Sequence, residues 1–144
     1  FDKKIKKSKI KSFSSLSKIF MLSDIVTINL TYDHTTHEII SKNILFKAKK
    51  NQVLINTSRG EIIQENALWS YLNLKKKRYA GLDVLVNDHK WTNKIPREKF
   101  KIIKKYNKNM LLTPHVGGVS IDAKNITREI ILDILIKIIR NYKS

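Results

Sequence analysis

Gln52-Val53-Leu54-Ile55-Asn56-Thr57-Ser58-Arg59-Gly60 sets an apolar run directly against a small polar one. Gln52 to Asn56 reads as a buried strand: short, apolar and carrying β-branched residues. The polar run then leaves the strand without an intervening helix signal. Outward from this stretch, the chain alternates. Lys42 to Lys49 before it reads as a short helix with Ile44, Leu45 and Ala48 inward, and Gln64 to Leu74 after it as another helix. Beyond these lie two more strands, Ile25 to Leu30 and Tyr79 to Leu85. A helix over Ser14 to Leu22, which Ser14 and Ser15 can cap, precedes the first of them. Met110 to Thr113 is the last strand, and Ile121 to Tyr142 a long amphipathic helix.

Strands alternating with crossover helices predict an α/β fold with a parallel sheet. Apolar residues at successive strand positions predict cover on both faces. Ligands of such sheets lie beyond the carboxyl ends of the strands, so the polar residues there carry the functional reading.

Composition narrows the classes. The chain has 144 residues, room for one core, and 42% hydrophobic residues, too many for a disordered chain. It has no cysteine, which excludes disulfides and thiolate metal sites and suits a reducing, cytoplasmic compartment. No metal site is expected. The longest apolar candidate for a membrane span, Ile130 to Ile139, is broken by Asp133 and Lys137, so no membrane partner is expected. Phe1 and the lysine-rich Lys3 to Lys11 lack the pattern of a signal peptide, and the chain reads as a fragment. The formal net charge of +17 taken alone points to nucleic acid, or to an anionic membrane. Lysines scattered over exposed helix faces explain it as well. The aromatic residues do not alternate with the basic clusters, and no helix-turn-helix, zinc-finger or RNP pattern appears. Nucleic acid is therefore not the expected partner.

Polar residues gather at the strand ends and in the loops beyond them. Arg59 offers a forked donor suited to a carboxylate, although Asn56 to Gly60 also reads as a helix-capping loop with a surface arginine. Asp83 stands in an apolar segment and must be hydrogen-bonded, either to a ligand amide or to a neighbouring loop. Asp88 and His89 form a polar loop five residues on. In Leu112-Thr113-Pro114-His115-Val116-Gly117-Gly118, Pro114 ends the strand, His115 stands at its mouth, and two glycines permit unusual backbone angles or close ligand approach. An imidazole, a carboxylate to orient it and an arginine are the three groups that reduction of a 2-keto acid needs.

Leu54 to Ile63, Ala80-Gly81-Leu82-Asp83-Val84 and Leu112 to Gly118, in that order, resemble the D-isomer-specific 2-hydroxyacid dehydrogenases, as does Ser23 to Leu30. The resemblance covers nearly the whole chain and implies a Rossmann-type NAD-binding domain. By matching position it implies that Arg59 binds the substrate carboxylate, that His115 is the acid/base, and that Asp88 stands where the family has the glutamate paired with that histidine. It implies cofactor contacts from Asp2, Leu30, Thr57, Ser58, Arg59, Asp83, His115, Gly117 and Gly118. Asp2 matches the acid that binds the adenosine ribose, which favours NAD over NADP. The G-x-G-x-x-G loop that holds the pyrophosphate is absent from this sequence. Residues 1–120 then read as a partial NAD-binding domain, incomplete at its N-terminal side, with helices on both sheet faces. Residues 121–144 read as a helix packing at the hinge or returning toward the substrate domain. The implied activity is hydride transfer between NAD(H) and a 2-hydroxy or 2-keto acid by a homodimer built through its cofactor domains, with little or no turnover from these residues alone. The rival reading is an inactive Rossmann remnant that binds nucleic acid or a protein through its basic surface.

Overall fold

Four parallel strands in the order β1-β2-β3-β4 form the sheet: β1 (Ile25–Ile28), β2 (Val53–Asn56), β3 (Tyr79–Leu82) and β4 (Met110–Leu112). The computed structural model describes residues 15–72, 77–91, 94–118 and 121–142, and not the side chains of 123 and 137–142. Asp2, Ser14 and the basic stretch Lys3 to Lys11 lie outside the described residues. The chain divides into two compact units, Phe1–Pro114 and His115–Ser144.

The first unit carries the sheet. Its registers align Val26, Leu54, Ala80 and Met110 across all four strands, and Ile28, Asn56, Leu82 and Leu112 beside them. These rows make one face. Packed on it are Phe20 of α1 (Leu16–Leu22), Leu45 of α2 (Lys42–Phe46) and Leu68, Trp69 and Tyr71 of α3 (Glu65–Tyr71). Ile102, Ile103 and Tyr106 of α4 (Arg97–Tyr106) join them half-buried, and the Tyr106 ring stacks on Trp69 at 5.9 Å between centroids.

The other face is unevenly covered. Burial alternates along β1 and β3, where Ile25 and Tyr79 are exposed, and Leu111 of β4 is 71% exposed. Among the described residues of this unit, the helices named above cover the face that carries the Val26 and Ile28 rows more fully than the other. The cause is topological. Right-handed crossovers between strands that follow one another in a single direction return every connecting helix to the same face, and cover for the opposite face needs the strand order to reverse.

The strands end earlier than their sequence pattern. Asn29 and Leu30 leave the sheet after Ile28, and Asp83 follows rather than lies within β3. Ser15 is the N-cap of α1 but makes no side-chain cap hydrogen bond, contrary to expectation. The helix α2 stops at Phe46, yet Ala48 remains buried beyond it. Helix α4 had no sequence expectation. It follows Pro96 and is tied to α3 by the Trp69–Tyr106 stack and a Lys99–Glu65 ion pair.

The second unit contains helix α5 (Ile121–Tyr142), with the bounds its sequence pattern implies. Its described side chains are exposed, among them Ile126, Ile130 and Leu135. Among the described residues no helix is long and apolar enough to cross a membrane.

Candidate functional site

The carboxyl ends of β1, β2 and β3 gather the polar residues, and hydrogen bonds weave their loops together. Asn56, the last residue of β2, is fully buried. Its Oδ1 accepts the Ser58 N–H at 3.0 Å, and its Nδ2 donates to the Arg59 carbonyl at 2.9 Å. Ser58 Oγ donates to the Ile28 carbonyl of β1 at 2.8 Å, and the Asp83 N–H donates to the Asn56 carbonyl at 2.9 Å. The turn after β2 is thereby fixed to the strand on either side of it.

Thr57 and Arg59 project from this turn into solvent, while Ser58 is half-buried. Arg59 Nη1 donates to the Ser58 carbonyl at 2.6 Å, laying the guanidinium along its own loop. Leu30 is half-buried against the core at the end of β1.

Asp83 is buried, and its Oδ1 accepts the Thr113 hydroxyl; the Thr113 N–H donates to the Leu82 carbonyl at 2.9 Å. A buried carboxylate beyond a strand is thus satisfied in part by its neighbour, as burial requires. Asp88 Oδ2 accepts the Leu85 N–H at 3.0 Å, which closes the turn that carries it.

Gly60 brings the two loops into contact. A Cβ at this position would overlap the backbone of Leu85 and Val86, so only glycine allows the close approach. Beside it, Glu61 Oε1 accepts the N–H of Asn87, which holds a left-handed φ of 61°. The Arg59 loop and the Asp88 loop are joined at these two points.

The second unit opens with His115, which adopts a left-handed φ of 55° immediately after Pro114. Histidine is one of the few residues enriched in that region. The unusual backbone angle expected of the glycines belongs instead to His115: no glycine among the described residues has positive φ. Gly117 and Gly118 are exposed, and space around Gly118 is open.

Two contributors had no place among the sequence candidates, Asn56 and Thr113. Asn56 was findable: it is a polar residue at an inward strand position, where an unpaired amide is costly. Thr113 had no signal beyond its place before Pro114.

The donor set fits one end of a dinucleotide. Thr57, Ser58 and Asp83 offer hydroxyls and a carboxylate of the kind that hold an amide-bearing ring. A pyrophosphate cradle is not found among these residues, and the chain's four glycines, Gly60, Gly81, Gly117 and Gly118, form no phosphate-binding loop. A parallel sheet with its polar residues assembled at the carboxyl edge defines a Rossmann-type cofactor domain.

The sequence profile of the D-isomer specific 2-hydroxyacid dehydrogenase NAD binding domain matches residues 1–117. The chain belongs to that family, through its NAD-binding domain. It is 32% identical over 111 residues to glyoxylate reductase 1 of Saccharomyces cerevisiae, covering 77% of this chain and 29% of that protein. A D-lactate dehydrogenase structure from Sporolactobacillus aligns with a TM-score of 0.67 and 29% identity over 76% of this chain and 34% of the other. The NAD-complexed D-isomer specific 2-hydroxyacid dehydrogenase of Lactobacillus delbrueckii ssp. bulgaricus aligns with a TM-score of 0.76 and 24% identity, over 87% of this chain and 39% of that one, a likeness of fold. The chain thus spans between 29% and 39% of the length of these three proteins.

Proposed function

We propose that this chain forms the cofactor side of an enzyme that interconverts a 2-hydroxy acid and its 2-keto acid with NAD(H). The observation that carries the reading is Arg59, exposed on a pinned turn at the carboxyl edge of the sheet in a chain of this family. Bound NAD(H) supplies hydride exchange at the substrate C2. Arg59 binds the substrate carboxylate through its forked N–H groups and polarises the adjacent carbonyl. His115 gives the carbonyl oxygen its proton in reduction and takes it back in oxidation. Asp88 takes the place of the carboxylate that serves that histidine in the family. Leu30, Thr57, Ser58 and Asp83 line the nicotinamide side, Gly117 and Gly118 leave room for the ligand beside His115, and Asp2 takes the adenosine ribose. Residues 1–120 constitute the cofactor-binding part and 121–144 an appended helix, and the enzyme is a homodimer through its cofactor domains. Sedimentation of the active enzyme as a monomer would contradict that last assignment.

The decisive test is His115→Ala in the enzyme that carries this chain. We expect kcat to fall by roughly 10²–10⁴-fold with the NADH dissociation constant nearly unchanged. Undiminished turnover would remove His115 from the chemistry. Loss of NADH binding in step with turnover would make it a structural residue.

A further inference from the structure

We infer that Asn56 is a positioning residue that sets where Arg59 presents its guanidinium, an inference that rests on reading Arg59 as the substrate-carboxylate site. Arg59 is exposed, so packing of its side chain does not fix it. What fixes its backbone is the Asn56 amide, which spans the turn: Oδ1 accepts the N–H of Ser58 at 3.0 Å and Nδ2 donates to the carbonyl of Arg59 at 2.9 Å. One planar head must supply an acceptor and a donor at once. Aspartate keeps the acceptor and loses the donor, and leucine, of similar shape, supplies neither.

The amide is also enclosed. Asn56 is fully buried, and its own carbonyl accepts the Asp83 N–H at 2.9 Å. The turn is pinned once more by Ser58 Oγ on the Ile28 carbonyl at 2.8 Å. On its far side Gly60 lies too close to the backbone of Leu85 and Val86 for any side chain. A turn held from three sides delivers its arginine preorganised, which matters because small misplacements of a binding group are costly in rate.

The experiment is a double-mutant cycle in the enzyme carrying this chain. Asn56→Asp and Asn56→Leu are each made with Arg59 intact and with Arg59→Ala. KM is measured with whichever of glyoxylate, pyruvate or hydroxypyruvate is turned over best, and NADH affinity by fluorescence. With Arg59 intact, we expect Asn56→Asp to raise KM about tenfold while the NADH dissociation constant stays within about twofold. With Arg59→Ala, the same substitution should raise KM no further, because its effect runs through Arg59. An equal rise in both backgrounds, or NADH affinity falling in step, would overturn the inference and leave Asn56 a structural residue. Arg59→Ala alone leaving KM unchanged would overturn the reading of Arg59 itself, and is recognised without any Asn56 variant. If the Asn56 variants do not fold, amide hydrogen exchange on the unaltered protein decides. A protected Ser58 amide beside exposed Thr57 supports the pinned turn, and rapid exchange there overturns it.

Discussion

The two edges of the sheet are both polar, but they are polar in different ways. At the amino edge each of β2, β3 and β4 is preceded by a buried polar residue: Gln52, Arg78 and Asn109. Their side chains turn to backbone carbonyls. Gln52 Nε2 donates to Phe20 and Ser23 at 2.8 and 2.7 Å, Arg78 Nε to Lys49 at 3.1 Å and its Nη2 to Ala48, and Asn109 Nδ2 to Arg78 at 3.0 Å. Phe20, Ser23, Ala48 and Lys49 stand at or just beyond the ends of α1 and α2, where helices leave carbonyls without intrahelical partners, and the Arg78 carbonyl stands just before β3. Tyr71 completes the group: its hydroxyl donates to the Gln52 carbonyl at 3.0 Å, and its ring lies 5.1 Å from the Arg78 guanidinium. Burial holds the Tyr71 phenol well above its ordinary pKa and pulls that of Arg78 down. At the carboxyl edge the buried polar groups, Asn56 and Asp83, instead hold loops whose neighbours Thr57, Arg59 and Thr113 face solvent. One edge closes helix ends. The other presents side chains.

This contrast predicts opposite phenotypes. The largest stability effect belongs to the amino edge. Arg78→Met should lower unfolding stability by about 3 kcal/mol, because it strands buried carbonyls that the guanidinium satisfies and removes the cation from the Tyr71 face. Urea denaturation checks this. A loss under about 1 kcal/mol would mean that the amino-edge cluster is not the anchor its burial implies.

Gly60 is the place where the contrast could break. It lies at the carboxyl edge, directly after Arg59 and at the start of the 3₁₀ turn Gly60–Ile62, yet its role is packing. Gly60→Ala should cost about 2 kcal/mol, because the new methyl must displace the backbone of Leu85 and Val86. Substrate KM should rise as well, since both joined loops move. A neutral substitution would show that these loops slide freely past each other.

How much of this was legible follows the same division. The alternation of strands and helices was readable because hydrophobic period is a local property, and the parallel sheet followed from it. Strand ends were overextended at Leu30 and Leu85, since pairing partners rather than composition decide where a strand stops. The uneven cover along the sheet was not readable. Ile25 and Leu111 carry the same apolar signal as Val26 and Leu112, and only the strand order separates them. At the carboxyl edge, Arg59, Asp83 and Asp88 stood out as candidates by residue type and by place in the chain. The service of Asn56 to its turn was hidden, because it depends on which side chain reaches which carbonyl. Helix α4 was missed because its anchoring contacts, the Trp69–Tyr106 stack and the Lys99–Glu65 pair, are long-range.

A smaller effect sharpens the contrast from the other side. Arg59→Lys should change stability by less than about 0.5 kcal/mol, because the side chain is exposed and bonds back to its own loop, Nη1 to the Ser58 carbonyl. It should nevertheless raise the KM for a 2-keto acid, because an ammonium cannot grip a carboxylate with two parallel bonds. A destabilisation approaching that of Arg78→Met would erase the distinction between the edges.

The smallest effect is in the loop that follows β1 at the same carboxyl edge. Asp33 Oδ1 accepts the Thr35 hydroxyl at 2.6 Å and the N–H groups of Thr35 and Thr36 at 2.7 and 3.1 Å. The Thr35 hydroxyl is the main reason the Asp33 carboxyl lies below its ordinary value of 3.8, with the backbone N–H of Thr35 next. A carboxyl depressed on folding favours the folded loop above its unfolded pKa, and that contribution disappears as pH falls through the lower, folded pKa. The loop should therefore hold its shape at neutral pH and loosen only below 3.8. NMR titration of the Asp33 carboxyl carbon should give a midpoint under that value, and the Thr35 and Thr36 amides should lose protection, relative to their intrinsic exchange rates, over the same range. A midpoint at or above 3.8 would mean that the turn is not formed in solution. The polar residues after β1 would then lack the fixed geometry that those after β2 derive from Asn56.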